Sequence, residues 1–159
     1  MSEINKIIIL GSGTSTGVPT SANHWGVCDP LNKKNYRLRT SILLETKHGQ
    51  NILVDTTPDL RQQCLSNAIN KIDSVIITHN HADHLHGLDD VRPFCYGPPT
   101  KHIPLYTSSD GAQEIRQRFP YIFNPKQVSL GGGIPLIDLR SISLLDHSIT
   151  SFIISELTF

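Results

Sequence analysis

With 159 residues, 38% of them hydrophobic, and a formal net charge of zero, the chain has enough apolar material to bury one core, and its length favours a single domain over 1–159. The charge balance excludes the broad positive field that holds nucleic acid, so a nucleic-acid partner is not expected without a local basic patch or another subunit. Cys28, Cys64 and Cys95 are too few and too scattered for a disulfide framework or a CxxC zinc site, and their odd number fits a reducing compartment.

In chain order, the start leads only to the short apolar run 7–10, far below the length of a signal h-region or a membrane span, so a cytoplasmic protein with no membrane association is expected. Residues 6–10 read as a buried strand. The glycines at 11, 13 and 17 follow it with a spacing that differs from the dinucleotide fingerprint, and Pro19 argues against a following helix; a tight turn is the plainer expectation. Residues 41–45 and 51–54 read as a hairpin pair about Gly49, and 74–78 as the next core strand. Between them Thr57-Pro58-Asp59 resembles a helix entry, followed by Leu60, Cys64, Leu65 and Ala68 at helical spacing. A short strand is expected at 102–106. A helix is expected at 109–119, opened by the Ser108-Ser109-Asp110 cap signals and ended before Pro120.

The chemistry concentrates after the strand at 74–78. Four of the eight histidines lie between positions 79 and 86, and His79, His81, Asp83 and His84 put three imidazoles and a carboxylate within six residues. Side-chain direction repeats every two residues in extended chain, so His79 and His81 leave the strand on the same side and can grip one ion. Asp83 and His84 follow after the chain turns, and approach from another direction. Neutral nitrogens with one hard oxygen suit a transition metal at an open, catalytic centre rather than a Cys-rich structural zinc. Two clustered ions can clamp both the attacking and the leaving oxygen of a hydrolysis.

Several flanking residues have two readings. Asp55 closes an apolar strand and should be paired if buried: it either orients a metal-bound His or serves as a helix N-terminal acid. Asp59 tilts towards capping. His86 is read as a non-ligand, either a proton donor to a leaving group or a solvated loop residue. Asp89 and Asp90 either hold the histidines in place or cap the segment before Pro93. Arg37 and Arg39, near Lys33 and Lys34, form a basic cluster suited to phosphate or, more plainly, to solvent. His24 and Trp25 stand as a substrate-facing loop or as packing, while His48 and His102 have no partner in the sequence that suggests chemistry.

The HxHxDH pattern of His79, His81, Asp83 and His84 resembles the signature of the metallo-β-lactamase superfamily. The segments 7–19, 52–61 and 86–90 resemble the branch containing phosphoribosyl cyclic phosphate phosphodiesterases and, more distantly, tRNA 3′-processing endonucleases; the likeness covers about residues 4–147. It implies an α+β fold, the αββα four-layer sandwich, and a dinuclear Zn or Mn phosphodiesterase. His79, His81 and His147 would then hold one ion and Asp83 and His84 the other, with Asp83 and His86 nearest the chemistry and Asp55 and Asp89 supporting the ligands.

The same resemblance expects a bridging Asp and a last His beyond His147, yet residues 148–159 contain neither. The chain is therefore expected to carry the N-terminal half to two-thirds of the sandwich, with one ion in place of two. Three functions follow: a hydrolase of a small phosphodiester, an inactive remnant that binds metal weakly or works within a larger assembly, and a lactamase or thioester hydrolase. An uncovered half-sandwich also implies association into homo-oligomers.

Overall fold

Strand periodicity builds the sheet. In β1 (Ile4–Gly11) Ile8 and Leu10 turn into the core, while Ile7 and Ile9 face the other way and remain 59% and 67% exposed. β2 (Ser41–Thr46) pairs antiparallel with β1, and β3 (Asn51–Val54) returns antiparallel to β2 through the turn at 47–50, the expected hairpin. β4 (Ser74–Ile76), β5 (Ile103–Ser108) and β6 (Ile137–Ile142) then add in parallel, giving one mixed six-stranded sheet ordered β1-β2-β3-β4-β5-β6. The computed structural model describes residues 4–96, 99–123 and 137–142, together with the antiparallel pair β7 (Ile153–Ile154) and β8 (Leu157–Thr158). His147 lies outside the described residues.

The parallel strands need crossovers, and the helices that supply them cover one face of the sheet. These are α1 (Leu60–Ser66), α2 (Ala82–Leu85), a 3₁₀ segment (Leu88–Cys95), α3 (Ser109–Arg118) and α4 (Pro120–Phe123). Leu60, Leu85, Leu88, Val91, Ala112 and Ile115 meet Leu43, Leu53, Val75, Ile103 and Leu105 in a single buried core. Each such aliphatic side chain, fully buried, contributes about 1.5–3 kcal/mol. On the opposite face an apolar row crosses the strands through the register pairs Ile9 with Ile42, Ile42 with Val54, Val54 with Ile76, and Ile76 with Tyr106. A sheet apolar on both faces with helices on one is the inner half of the expected sandwich.

Three boundaries differ from expectation for local reasons. β4 stops at Ile76 because the Thr78 N–H is taken by the Asp55 carboxylate at 2.8 Å. Pro120 ends α3 as expected but opens α4, since its missing N–H costs nothing at a first helical position. β6, which the sequence reading left unassigned, is an edge strand whose Ile137 and Leu139 enter the core while Arg140 stays in water. Among the described residues no helix is long and apolar enough to cross a membrane.

None of the three cysteines is in a disulfide. Burial, with Asp90 nearby, pushes the Cys64 thiol up to about 11, and burial also raises Cys95, whereas Cys28 is only half-buried. At pH 8 roughly one Cys64 in a thousand is thiolate, so iodoacetamide should label one thiol per native chain, at Cys28, and all three after denaturation. Mass spectrometry of the labelled peptides checks this; equal labelling of Cys64 in the native protein would contradict the buried environment.

Candidate metal centre

Parallel pairing sends the C-terminal ends of β3, β4 and β5 to one edge of the sheet, the edge at which open α/β sheets gather ligands. Asp55 follows β3, His79 follows β4 after two residues, and Ser108 closes β5 and caps α3 by accepting from the Gly111 N–H at 3.0 Å. Residues far apart in sequence thus meet around one open cleft of about 420 Å³, lined by Thr78, His79, Asn80, His81, Asp110 and Glu114 among others.

Asp55 is the anchor. It is 4% exposed and sits at φ +64°, a left-handed conformation in which Asp is one of the few non-glycine residues regularly found. Its Oδ1 accepts from the Thr78 N–H, its carboxylate accepts the Thr78 hydroxyl at 2.9–3.0 Å, and its Oδ2 lies 2.7 Å from His84 Nδ1. A carboxylate only accepts, so His84 carries a proton on Nδ1 and directs its Nε2 away from Asp55. The Thr78 hydroxyl gives its one proton to Asp55 and lies 3.0 Å from His79 Nδ1, a contact in which that nitrogen donates and Nε2 is the one turned away from Thr78. Of the two readings of Asp55, the carboxylate that orients histidine is the one the geometry adopts.

The sequence cluster comes together in space. The His79 ring lies 4.8 Å from that of His81 and 4.1 Å from that of His84, centre to centre. Asp83 and His84 arrive on α2, whose N-cap is His81, and His84 Nε2 stands 3.2 Å from Asp83 Oδ2. That contact is satisfied by a proton on Nε2 or by a cation held between the two groups. In kind and direction these donors suit a divalent transition metal. Among the described residues no group of three or more His, Cys, Asp or Glu side chains is spaced to hold a metal ion as it stands.

The 55–57 segment also fixes α2. The Thr56 N–H donates to the His84 carbonyl at 2.7 Å, the Thr56 hydroxyl to the Leu85 carbonyl at 3.1 Å, and the Gly87 N–H to the Thr56 carbonyl at 2.9 Å. A Cβ at Gly87 would fall 1.9 Å from the Thr57 carbonyl oxygen, so only glycine allows the approach.

Other expected residues stand elsewhere. His86, the C-cap of α2, is exposed, stacks edge-on against Phe119 and lines a neighbouring cleft with Asp89, Arg118 and Tyr121. Asp89, expected to support the histidines, instead accepts from the Tyr121 hydroxyl and from Arg92; Tyr121 is pushed up to about 12 by burial and by this bond. Asp59 occupies the N-cap of α1 but makes no capping bond, because its carboxylate takes the Arg39 N–H and guanidinium, both at 2.9 Å. Arg39 also donates to the Ser15 carbonyl, which commits it to holding the 11–17 loop. Arg37 donates to Ser12 Oγ and lines a different cleft with Ile9 and Tyr36, so neither arginine faces the histidines. Trp25 donates to Asn23 in an exposed loop, rather than packing in the core. Thr78, Glu114 and Arg118 were not singled out from the sequence; the i,i+4 spacing of Glu114 and Arg118 was their one visible signal.

Replacing Asp55 by Ala should cost about 2 kcal/mol in the metal-free chain, because Thr78 and His84 lose a buried partner. Gly87→Ala should cost about 1–3 kcal/mol through overpacking. Chemical denaturation of the metal-free proteins checks both; wild-type stability in Gly87→Ala would contradict the close approach.

Known proteins resemble this chain in sequence and in fold. A family profile described as a beta-lactamase superfamily domain matches residues 50–150. An octanoyltransferase of Porphyromonas gingivalis is 40% identical over 134 residues, which are 84% of this chain and 26% of that protein. A solved diphosphatase from the PhnP family is 33% identical with a TM-score of 0.81, all of this chain matching 56% of that one. Zn(2+)-bound PqqB from Methylobacterium extorquens shares the fold at 19% identity and a TM-score of 0.63, over 92% of this chain and 47% of that one. The chain spans about half the length of these solved structures and about a quarter of the octanoyltransferase. With the profile covering well over half of its residues, the chain belongs to the beta-lactamase superfamily.

Proposed function

We propose that the chain carries the site of a divalent-metal hydrolase acting on a small phosphodiester, a cyclic phosphate or nucleotide-like molecule. The observation that carries this reading is His84, anchored by Asp55 at Nδ1 with its Nε2 directed at the Asp83 carboxylate 3.2 Å away. His79 and His81 present the neighbouring nitrogens, and His147 is the further ligand that the resemblance implies. Zn or Mn suits this mixed nitrogen and oxygen set. A bound divalent ion lowers the pKa of water and offsets the negative charge of phosphoryl oxygens. The chain itself holds His84 through Asp55, turns His79 through the Thr78 hydroxyl, and keeps Asp83 beside the nitrogen that would otherwise carry a proton. His86, exposed at the end of α2 in the adjoining cleft, is assigned the proton donor to the leaving oxygen.

Likeness to a diphosphatase over the whole chain favours a phosphorus-centred substrate. The octanoyltransferase match spans only 26% of that protein, so the activity named for the whole of it is a weak guide to this part. Three scattered thiols outside any disulfide support a reducing, cytoplasmic setting.

Purified without chelator, the chain should contain Zn or Mn, and a His79→Ala/His81→Ala variant should lose both the metal and the metal-dependent rise in melting temperature. Bis(p-nitrophenyl) phosphate should be hydrolysed in preference to a β-lactam or a thioester. Asp83→Asn should lower that rate about 100-fold or more, and Asp89→Asn no more than about threefold, as expected for a group at the metal and one bonded elsewhere. Equal metal content in wild type and the double variant, or robust β-lactam turnover, would overturn the reading.

A further inference from the structure

The residue between the two leading histidines is tied from outside its own loop. Extended backbone turns Asn80 away from the side shared by His79 and His81, towards α3. There its amide donates to the Gly111 carbonyl at 3.2 Å and to Glu114 Oε2 at 2.8 Å, while its own carbonyl accepts from Arg118 Nη1 at 2.7 Å. Glu114 and Arg118 complete the ring by pairing with each other one helical turn apart. An isolated pair of this kind on an exposed helix face contributes little. Here each partner also spends a second group on the same residue, Asn80, and the contacts reach both its side chain and its main chain.

We propose that Glu114 and Arg118 are positioning residues, a clamp on α3 that sets the peptide between His79 and His81 before any ion arrives. The proposal rests on the metal reading above and specifies how its two leading ligands are preorganised. β4 ends at Ile76, so residues 77–81 leave the sheet before the ligands are reached, and both His79 and His81 are exposed. Asp55 fixes the near end of this segment through Thr78, and α2 begins its far end at His81. Without the clamp the middle peptide, whose rotation sets the angle between the two imidazoles, is held only at its ends. The Asn80 amide also holds the Glu114 carboxyl below the usual carboxylate range, so the ring stays intact throughout the neutral range. Ordering the ligands beforehand removes an entropic cost that binding would otherwise carry.

The test uses the full chain with Arg118→Gln, Arg118→Lys and Glu114→Gln. In the metal-free protein, hydrogen exchange of the peptide 78–85, which contains the bonded amides of Thr78, His84 and Leu85, should accelerate about tenfold in Arg118→Gln, with the β2 and β3 peptides unchanged. Zn affinity by chelator competition should fall about tenfold, the scale of one charge-assisted hydrogen bond lost. Co(II) absorption should broaden. Arg118→Lys, which keeps a cation to donate to the Asn80 carbonyl, and Glu114→Gln, which keeps the Arg118 bond to it, should lie between this variant and wild type. Unchanged exchange in 78–85, or wild-type Zn affinity and Co(II) spectra in Arg118→Gln, would overturn the clamp. If the unsubstituted chain takes up no divalent ion at all, it is the metal reading that fails, and the positioning role falls with it.

Discussion

A buried carboxylate needs partners, and the candidate site is organised by how Asp55 finds them. Placed at the end of a central strand in left-handed backbone, it cannot be left unpaired without a large desolvation penalty. It satisfies itself on the chain leaving the neighbouring parallel strand, at Thr78, and on the helix beyond, at His84. The same bonds fix where β4 stops, which way the His84 ring is turned, and how α2 lies against the sheet. Structural satisfaction and ligand orientation are one set of contacts. The carboxylate is stable because the histidines are aimed, and the histidines are aimed because the carboxylate must be satisfied.

Around that anchor the surroundings divide by charge. The cleft beside the histidines has Asp83, Asp110 and Glu114 on or near its walls, and its nearest guanidinium, Arg118, is already engaged by Glu114 and Asn80. The Arg39 guanidinium is matched by Asp59 and a main-chain carbonyl. An anionic substrate reaching this place therefore meets an acidic enclosure. A divalent ion supplies the missing positive charge, which is why metal and phosphodiester belong to one proposal.

Much of this was legible in the sequence because the information was local. The histidines and Asp83 fall within six residues after an apolar strand, so period and composition sufficed to group them. Asp55 was recognisable as a carboxylate closing an apolar run, although its partner was not. What stayed hidden depends on pairing between distant strands. Glu114 and Arg118 reach Asn80 only because β5 lies beside β4, and Asp59 abandons its capping role only because Arg39 is brought within 2.9 Å. Asp89 was misplaced for a similar reason: Tyr121, thirty-two positions on, competes for it more effectively than the histidines next door. β6 carries its signal in two inward residues, too few to stand out in an edge strand.

Parallel strands cannot be joined by tight turns, and this has a kinetic side. Asp55 lies on a different crossover from Thr78, and Asn80 on a different one from the α3 helix that clamps it, so these contacts close loops of 23 and 38 residues. Such contacts form only once β3, β4 and β5 have found one another, which is the slow part of building a sheet of this type. A nascent chain, by contrast, exposes His79, His81 and His84 as soon as that short stretch is made. On the metal reading proposed above, the donors come first and their arrangement follows with the parallel half of the sheet, so selectivity among ions would be a property of the folded chain alone.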